Sequence, residues 1–331
     1  MSDTALKPAA TARRAGLDVV EVLTRYGALI ALALLVLFNI FFTRNFVSVQ
    51  TLNVNLTQVA TIVIVGVGMT LVIATGGIDL SVGSLMAIAG ALAPMIFGIR
   101  SIPIALAVTA AILTALFVAG VLGLFNGWLV ARFRIQPIVA TLVLFIAGRG
   151  IAQVVTNGNL QTFTEPAFQW IGLARPFGIP VQVMIMVLLV AGAALALRRT
   201  VFGRSILAIG GNERAAELSG IATARVKLAV YAISGLCSGL AGLIVIAINS
   251  SSDANLVGLG MELDAIAAVA VGGTSLSGGR ATVVGTLLGA LTIQLVRYTL
   301  LANGVPDAAA QVIKAAIIAL AVWLQQQNRA R

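Results

Sequence analysis

The sequence predicts an all-α polytopic integral membrane protein with about ten transmembrane helices and both termini on the cytoplasmic side. Three observations carry this. The 331 residues are 60% hydrophobic with a further 34 glycines, and 10% are charged, against about 25% in a soluble domain. Mean hydropathy is +1.06, too much apolar surface for a fold of this size to hide from water. Finally, the charges punctuate apolar runs of spanning length instead of gathering into a patch.

A spanning helix takes about 20 mainly apolar residues. Residues 1–25 are polar, carry Lys7, Arg13, Arg14 and Arg25, and lead to no small-residue cleavage site, so they read as a retained cytoplasmic tail. The transmembrane domain is then 26–324, with spans at 26–43, 56–75 and 82–97. Pro103 opens a fourth span to 130, and Arg132 and Arg134 mark a basic turn before Pro137 opens a fifth to 155. Residues 156–178, with Phe163, Phe168 and Trp170, form an outer loop before the sixth span at 181–197. A long basic cytoplasmic segment, 198–227, precedes the seventh at 228–248. The eighth, 263–279, is broken by glycines; the ninth is 283–301, the tenth 308–324, and 325–331 form a second cytoplasmic tail. Of the 21 Lys and Arg, Arg44, Arg100, Arg175 and Arg297 fall on outer segments, and Arg149 and Lys314 lie within spans. The rest face inward, as the positive-inside rule expects. Eight spans would give the same parity.

Several function classes are excluded. There is no histidine, and the one cysteine, Cys237, sits in an apolar run, so neither a disulfide framework nor a Cys/His metal site is available. Lys7, Lys227 and Lys314 stand outside any G-x-x-x-x-G-K-[ST] loop, so no Walker-type nucleotide site and no cofactor is expected on this chain. The net charge of +10 is spread for membrane orientation and predicts no nucleic-acid partner.

An internal echo stands out. Gly76-Gly77-Ile78-Asp79-Leu80-Ser81-Val82-Gly83 and Gly272-Gly273-Thr274-Ser275-Leu276-Ser277-Gly278-Gly279 share G-G-x-x-L-S-x-G, and each interrupts an apolar segment. Paired glycine-broken spans point to a transport pathway, because non-helical backbone survives at membrane depth only where protein or water satisfies it. Coincidence in a glycine-rich chain is the competing explanation.

Asp79 is the most conspicuous polar residue, since a mid-bilayer carboxylate costs about 2.5–3.5 kcal/mol on insertion scales. It is expected to contact a polar solute, to clamp helices together, or, with Ser81, to cap the third span. An ion relay would want several membrane acids, and Asp79 is nearly alone. Asn212, with Glu213 after it and Gly220 at a left-handed C′ position, specifies a cytoplasmic helix of about two turns. Ala215, Ala216, Leu218 and Ile221 give that helix a surface another protein can approach, against the alternative of a plain loop helix. Glu262 and Asp264 complement the dipole of the segment they open. Arg149 is expected to snorkel and Asn126 to bond between helices, while Trp128, Trp170 and Trp323 fall near interfaces.

The residues 68–84, from Gly68-Met69-Thr70 through Gly76-Gly77-Ile78-Asp79-Leu80-Ser81, resemble the signature of ribose/galactose-type ABC importer permeases. So do Ala208-Ile209-Gly210-Gly211-Asn212-Glu213 running to Leu218-Ser219-Gly220-Ile221, and Glu262-Leu263-Asp264-Ala265 followed by Gly272-Gly273-Thr274-Ser275-Leu276. The likeness is collinear from about Asn53 to Trp323. Phe145-Ile146-Ala147-Gly148-Arg149-Gly150, with the run through Asp79, resembles the galactofuranose-type branch. The resemblance implies a non-enzymatic permease subunit of the bacterial inner membrane that pairs with a second copy or a related permease. It also implies a cytoplasmic ATP-binding subunit that holds ATP and Mg, and an extracytoplasmic sugar-binding protein. The family's coupling helix falls on Asn212, Glu213, Ala215, Ala216, Leu218, Gly220 and Ile221. Asp79, Ser81, Ser84, Asn126, Thr274 and Ser275 become candidate pathway residues. Ala281 and Thr282 depart from the glycine and basic residue that the family often shows there. Another cargo, such as a branched-chain amino acid, and an ion-coupled secondary transporter are the alternatives.

Overall fold

In the computed structural model the structure describes residues 19–99 and 101–327. The rest of the expected tails (1–18 and 328–331) and Arg100 lie outside the described residues, as does the side chain of Trp323. The described chain folds into α1 (Val19–Phe42), α2 (Val49–Ala74), α3 (Val82–Phe97), α4 (Ile104–Phe133), α5 (Pro137–Val155), α6 (Pro166–Leu173) and α7 (Val181–Arg199). Then come α8 (Val201–Gly211), α9 (Glu213–Leu218), α10 (Thr223–Asn249), α11 (Met261–Val271), α12 (Val283–Ala302) and α13 (Asp307–Gln327). Six of these, α2, α4, α5, α7, α10 and α12, are long and apolar enough to cross a membrane.

α2 is the hub. Every residue from Val59 to Ala74 is buried, and α7, α10, α11 and α12 pack around it. A helix apolar on all sides is accommodated by other helices or by lipid, and α2 is accommodated by helices. α4 and α5 instead turn broad faces outward, with Leu113 and Phe117, and Val143 and Ile146, exposed as lipid contacts. The most extensive helix pairing is α4 with α10, where Gly123 lies against the backbone of Tyr231 and Gly235 against that of Ala119. A Cβ on Gly123 would stand 2.4 Å from the Tyr231 carbonyl oxygen. Small residues at such a seam let backbones approach where lipid supplies no hydrophobic drive.

Four differences from the expected spans have physical reasons. α1 begins at Val19, earlier than the predicted boundary at 26, because a polar Glu-Val-Leu-Thr-Arg stretch is still good helix former. The basic segment 198–227 is mostly helical: α7 runs to Arg199, and α8 buries Gly203, Ser205, Ile206 and Ile209 on one face. Arg204 within α8 and Arg198 and Arg199 just before it masked that periodicity. The broken eighth span does not continue as helix. α11 spans 11 residues, about 16 Å, and stops at Gly272 with Gly273 in the left-handed region. The outer loop is ordered by the antiparallel pair β1 (Gln161–Thr162) and β2 (Ser251–Ser252) and by Phe97, Phe163 and Phe168, whose rings meet edge-on or tilted with centroids 4.8–5.6 Å apart.

The two glycine breaks meet. Gly279 N–H donates to the Ala74 carbonyl at the end of α2 (3.1 Å), with Gly210 of α8 wedged between. A Cβ on Gly210 would lie 1.9 Å from the Ala74 oxygen and 2.4 Å from Gly279 N, whereas one on Gly211 would meet nothing within 4 Å. Gly210→Ala is therefore expected to cost about 1–3 kcal/mol or more by overpacking, and Gly211→Ala close to nothing. Melting of the two variants in detergent checks this; equal midpoints would contradict it.

Candidate functional site

α2 ends in a Schellman turn: Gly76 (φ +83°) donates to Ile73 O and Gly77 to Val72 O. α11 ends in the same turn, with Gly273 (φ +82°) and Thr274 donating to Ala270 O and Val269 O. The sequence echo aligns Gly76 with Gly272, but the backbone matches Gly76 with Gly273, one residue later. The shared letters mark the same device, slipped by one position.

The chain then crosses to α3, and Asp79 becomes the centre of a polar cluster. Its Oδ1 accepts from Ser81 N (3.0 Å) and Ser81 Oγ (2.6 Å), and its Oδ2 from Ser234 Oγ of α10 (2.7 Å). Asn126 Nδ2 of α4 donates to Ser81 Oγ (2.8 Å). Ser84 Oγ lies 2.7 Å from Ser81 O and 2.8 Å from Leu144 O of α5, and Leu80 N donates to Thr141 Oγ1 (3.1 Å). One break thus ties α4, α5 and α10 together, with Asp79, Ser81 and Asn126 wholly buried. Ser81 occupies the N-cap position of α3 without capping it; Asp79 instead accepts from Ser81's own N–H, in an Asx-type turn ahead of the helix. Among the described residues the Asn126 Oδ1 and the Tyr231 hydroxyl, the latter buried beside Gly77, have no hydrogen-bond partner. Each such orphan costs about 1–3 kcal/mol, so the cluster is held below its best possible satisfaction.

Thr274 and Ser275 lie in the other break, both buried. Thr274 Oγ1 accepts from Thr282 N (3.1 Å), Ser275 N donates to Arg280 O (3.2 Å), and the Ser275 and Ser277 hydroxyls are 3.2 Å apart. Of the six candidate pathway residues, Asp79, Ser81, Ser84 and Asn126 are joined in one hydrogen-bonded cluster.

α9 is built as its letters specify. Asn212 Oδ1 accepts from Ala215 N (3.0 Å), and Gly220 (φ +83°) closes a third Schellman turn through Glu217 O and Ala216 O. Leu218 is 77% exposed, and Ala215 and Gly220 are exposed as well. Ala216 is the correction: it is 4% exposed, packed inward, and Ile221 is half-buried, so neither belongs to the open face. Towards the body, Glu213 pairs with Lys227 (2.6 Å), while Glu217 accepts from Thr223 Oγ1 (3.2 Å) and stands 4.0 Å from Arg134. A cavity of about 380 Å³ separates this helix from the first break, lined by Thr75, Gly76, Gly77, Arg134, Gln136, Glu213, Glu217, Lys227 and Tyr231.

Arg149 does not snorkel. It reaches inward and donates to Ala254 O (2.8 Å) and Val257 O (2.6 Å), holding the loop before α11 against α5. Asp264 pairs with Lys314 of α13, so its role exceeds a helix-dipole complement. Glu262 is buried, and its Oε2 has no hydrogen-bond partner among the described residues. Sequence reasoning missed Ser234, Thr141, Tyr231 and Lys227. Three of them had a signal: Lys227, Tyr231 and Ser234 recur at helical spacing in the otherwise apolar α10.

Asp79→Ala would leave three donors without their acceptor, at a cost on the order of 3 kcal/mol. Asp79→Asn, which keeps one carbonyl acceptor, should fall between it and wild type in a detergent melt. Equal stability for all three would mean that the cluster contributes nothing.

Residues 51–322 match the family model described as branched-chain amino acid transport system / permease component. The galactofuranose transporter permease protein YtfT of Escherichia coli (strain K12) is 44% identical over 82% of this chain and 79% of its own length. The ribose import permease protein RbsC of the same strain is 42% identical over 91% and 94% respectively. The fructose import permease protein FruF of Bifidobacterium longum (strain NCC 2705) is 36% identical over 82% and 76%. No solved structure matches. With the family model covering most of the chain and these relatives aligned along it, the protein belongs to this family of transport-system permease components.

Proposed function

We propose that the chain is the membrane-spanning, non-enzymatic subunit of an ATP-driven importer, passing a monosaccharide of the ribose, galactose or galactofuranose class across the bacterial inner membrane by alternating access. The observation that carries the cargo class is that relatives at 36–44% identity over most of this chain are named as sugar permeases. The family's description favours a second cargo, a branched-chain amino acid. A neutral sugar suits the interior better. The Asp79 cluster offers hydroxyls, one amide and a single carboxylate, the weak polar contacts that let a solute leave as well as enter. An ion-coupled carrier has less support, since it would want several acids around Asp79 and has no use for α9.

In this reading the chain crosses the membrane ten times with both ends inside, and α9 lies on the cytoplasmic face against a separate ATP-binding subunit that holds ATP and Mg. An extracytoplasmic sugar-binding protein delivers the solute, and a second permease completes the passage. Asn212, Glu213, Ala215, Leu218 and Gly220 form the coupling surface, with Ala216 and Ile221 packing it to the body. Asp79, Ser81, Ser84, Asn126, Thr274 and Ser275, buried in this conformation, line the route when the breaks open.

The test is ATP hydrolysis by this chain reconstituted with its nucleotide-binding subunit, with and without sugar-loaded binding protein. Loaded binding protein should stimulate wild type, and Glu213→Ala/Leu218→Asp should lose that stimulation about tenfold or more, since Leu218 is an exposed apolar anchor. Stimulation by a binding protein loaded with leucine instead of sugar would transfer the assignment to the amino-acid cargo. Solute accumulation driven by an ion gradient without the ATP-binding subunit would overturn it.

A further inference from the structure

The coupling helix does not touch the Asp79 break directly, because the 380 Å³ cavity lies between them. A displacement of α9 must travel through the cavity's walls, and two ion pairs offer routes. Arg134 meets Glu217 at 4.0 Å with its side chain 80% exposed, a geometry that transmits little. Lys227 meets Glu213 at 2.6 Å with its side chain 12% exposed, and Thr223, one turn earlier on α10, bonds Glu217. α10 is therefore the stiffer route.

Along α10, Lys227, Tyr231, Ser234 and Ser238 fall at i, i+4, i+7 and i+11, one stripe of the helix. Ser234 holds Asp79 Oδ2, about 10 Å along the axis from Lys227. Asp79 keeps two further bonds to Ser81, so releasing Ser234 would free α10 without stripping the carboxylate. Between the two anchors the Tyr231 hydroxyl is buried without a partner among the described residues, which leaves room for a competing arrangement that satisfies it. On the α4 side, Gly123 and Gly127 let the backbone of this stretch approach closely, at Tyr231 and Leu228.

We propose that Lys227 and Ser234 are positioning residues for transport. Lys227 receives the movement of α9, α10 carries it as a rigid rod, and the Ser234–Asp79 hydrogen bond is the latch whose release opens the first glycine break. This rests on the reading of α9 as the element that the ATP-binding subunit engages.

The experiment measures sugar transported per ATP hydrolysed, using the complete complex in proteoliposomes. Glu213→Lys and Lys227→Glu should each lower the ratio about tenfold, and the double charge swap should return it to within about threefold of wild type. Ser234→Ala, a small-for-small change away from the docking surface, should lower it by a similar factor. A double swap as poor as either single variant, or a wild-type ratio for Ser234→Ala, would overturn the proposal. Absence of sugar-stimulated hydrolysis in wild type would instead overturn the importer reading itself, a separate failure visible before any variant is made.

Discussion

The architecture depends on one constraint: backbone that leaves a helix inside the apolar body must find its hydrogen bonds within the protein. Two stretches leave helices there, after Ala74 and after Val271, and each uses a glycine in the left-handed region to return two amides to the helix just ended. What those turns leave over is shared between them. Gly279 closes on Ala74, and Gly210 fits the remaining gap, so α2, α8 and the segment before α12 share one junction. The end of α2 is fixed by this junction, while its burial comes from the packing of α7, α10, α11 and α12 around it.

Much of this was legible. Val82–Phe97 and the start of α12 at Val283 match expectation because glycine and polar letters bound them on both sides. Asn212 and Gly220 announced α9 through capping chemistry that acts within a few residues. The Asp79 clamp was half-legible: a lone carboxylate in an apolar chain demands partners, and Asn126 was visible as one that bonds between helices. Ser234 was not, because a serine among the small residues of α10 looks like packing until the fold brings it 155 positions back along the chain. Arg149 was misread for a related reason. Lipid-exposed ends make snorkelling the default for a terminal arginine, and only the returning loop at Ala254 and Val257 supplies carbonyls that hold it in.

The site divides into a part that faces partners and a part that faces nothing but the protein. α9 exposes Leu218 while anchoring itself through Glu213 and Glu217, so a load on its outer face is borne by charges on its inner one. The Asp79 cluster is the opposite, enclosed and incompletely satisfied. Enclosed polar groups with unmet bonds make an arrangement stable enough to persist and poor enough to be replaced, which suits an element with two states. The cavity keeps the two parts out of direct contact, so that α10, with Lys227 at one part and Ser234 at the other, joins them.

The pairing of Asp264 with Lys314 has a consequence for how the chain is made. The two residues are 50 positions apart, on α11 and on α13. At ribosomal speeds of about 5–20 residues per second, the carboxylate emerges several seconds before its counter-ion exists. Until then the nascent chain carries an unneutralised acid near the bilayer, and α11 is too short to hold itself across it. Arrival of α13 therefore supplies the counter-ion that Asp264 is paired with in the folded chain, so α11 and α13 complete each other late in synthesis.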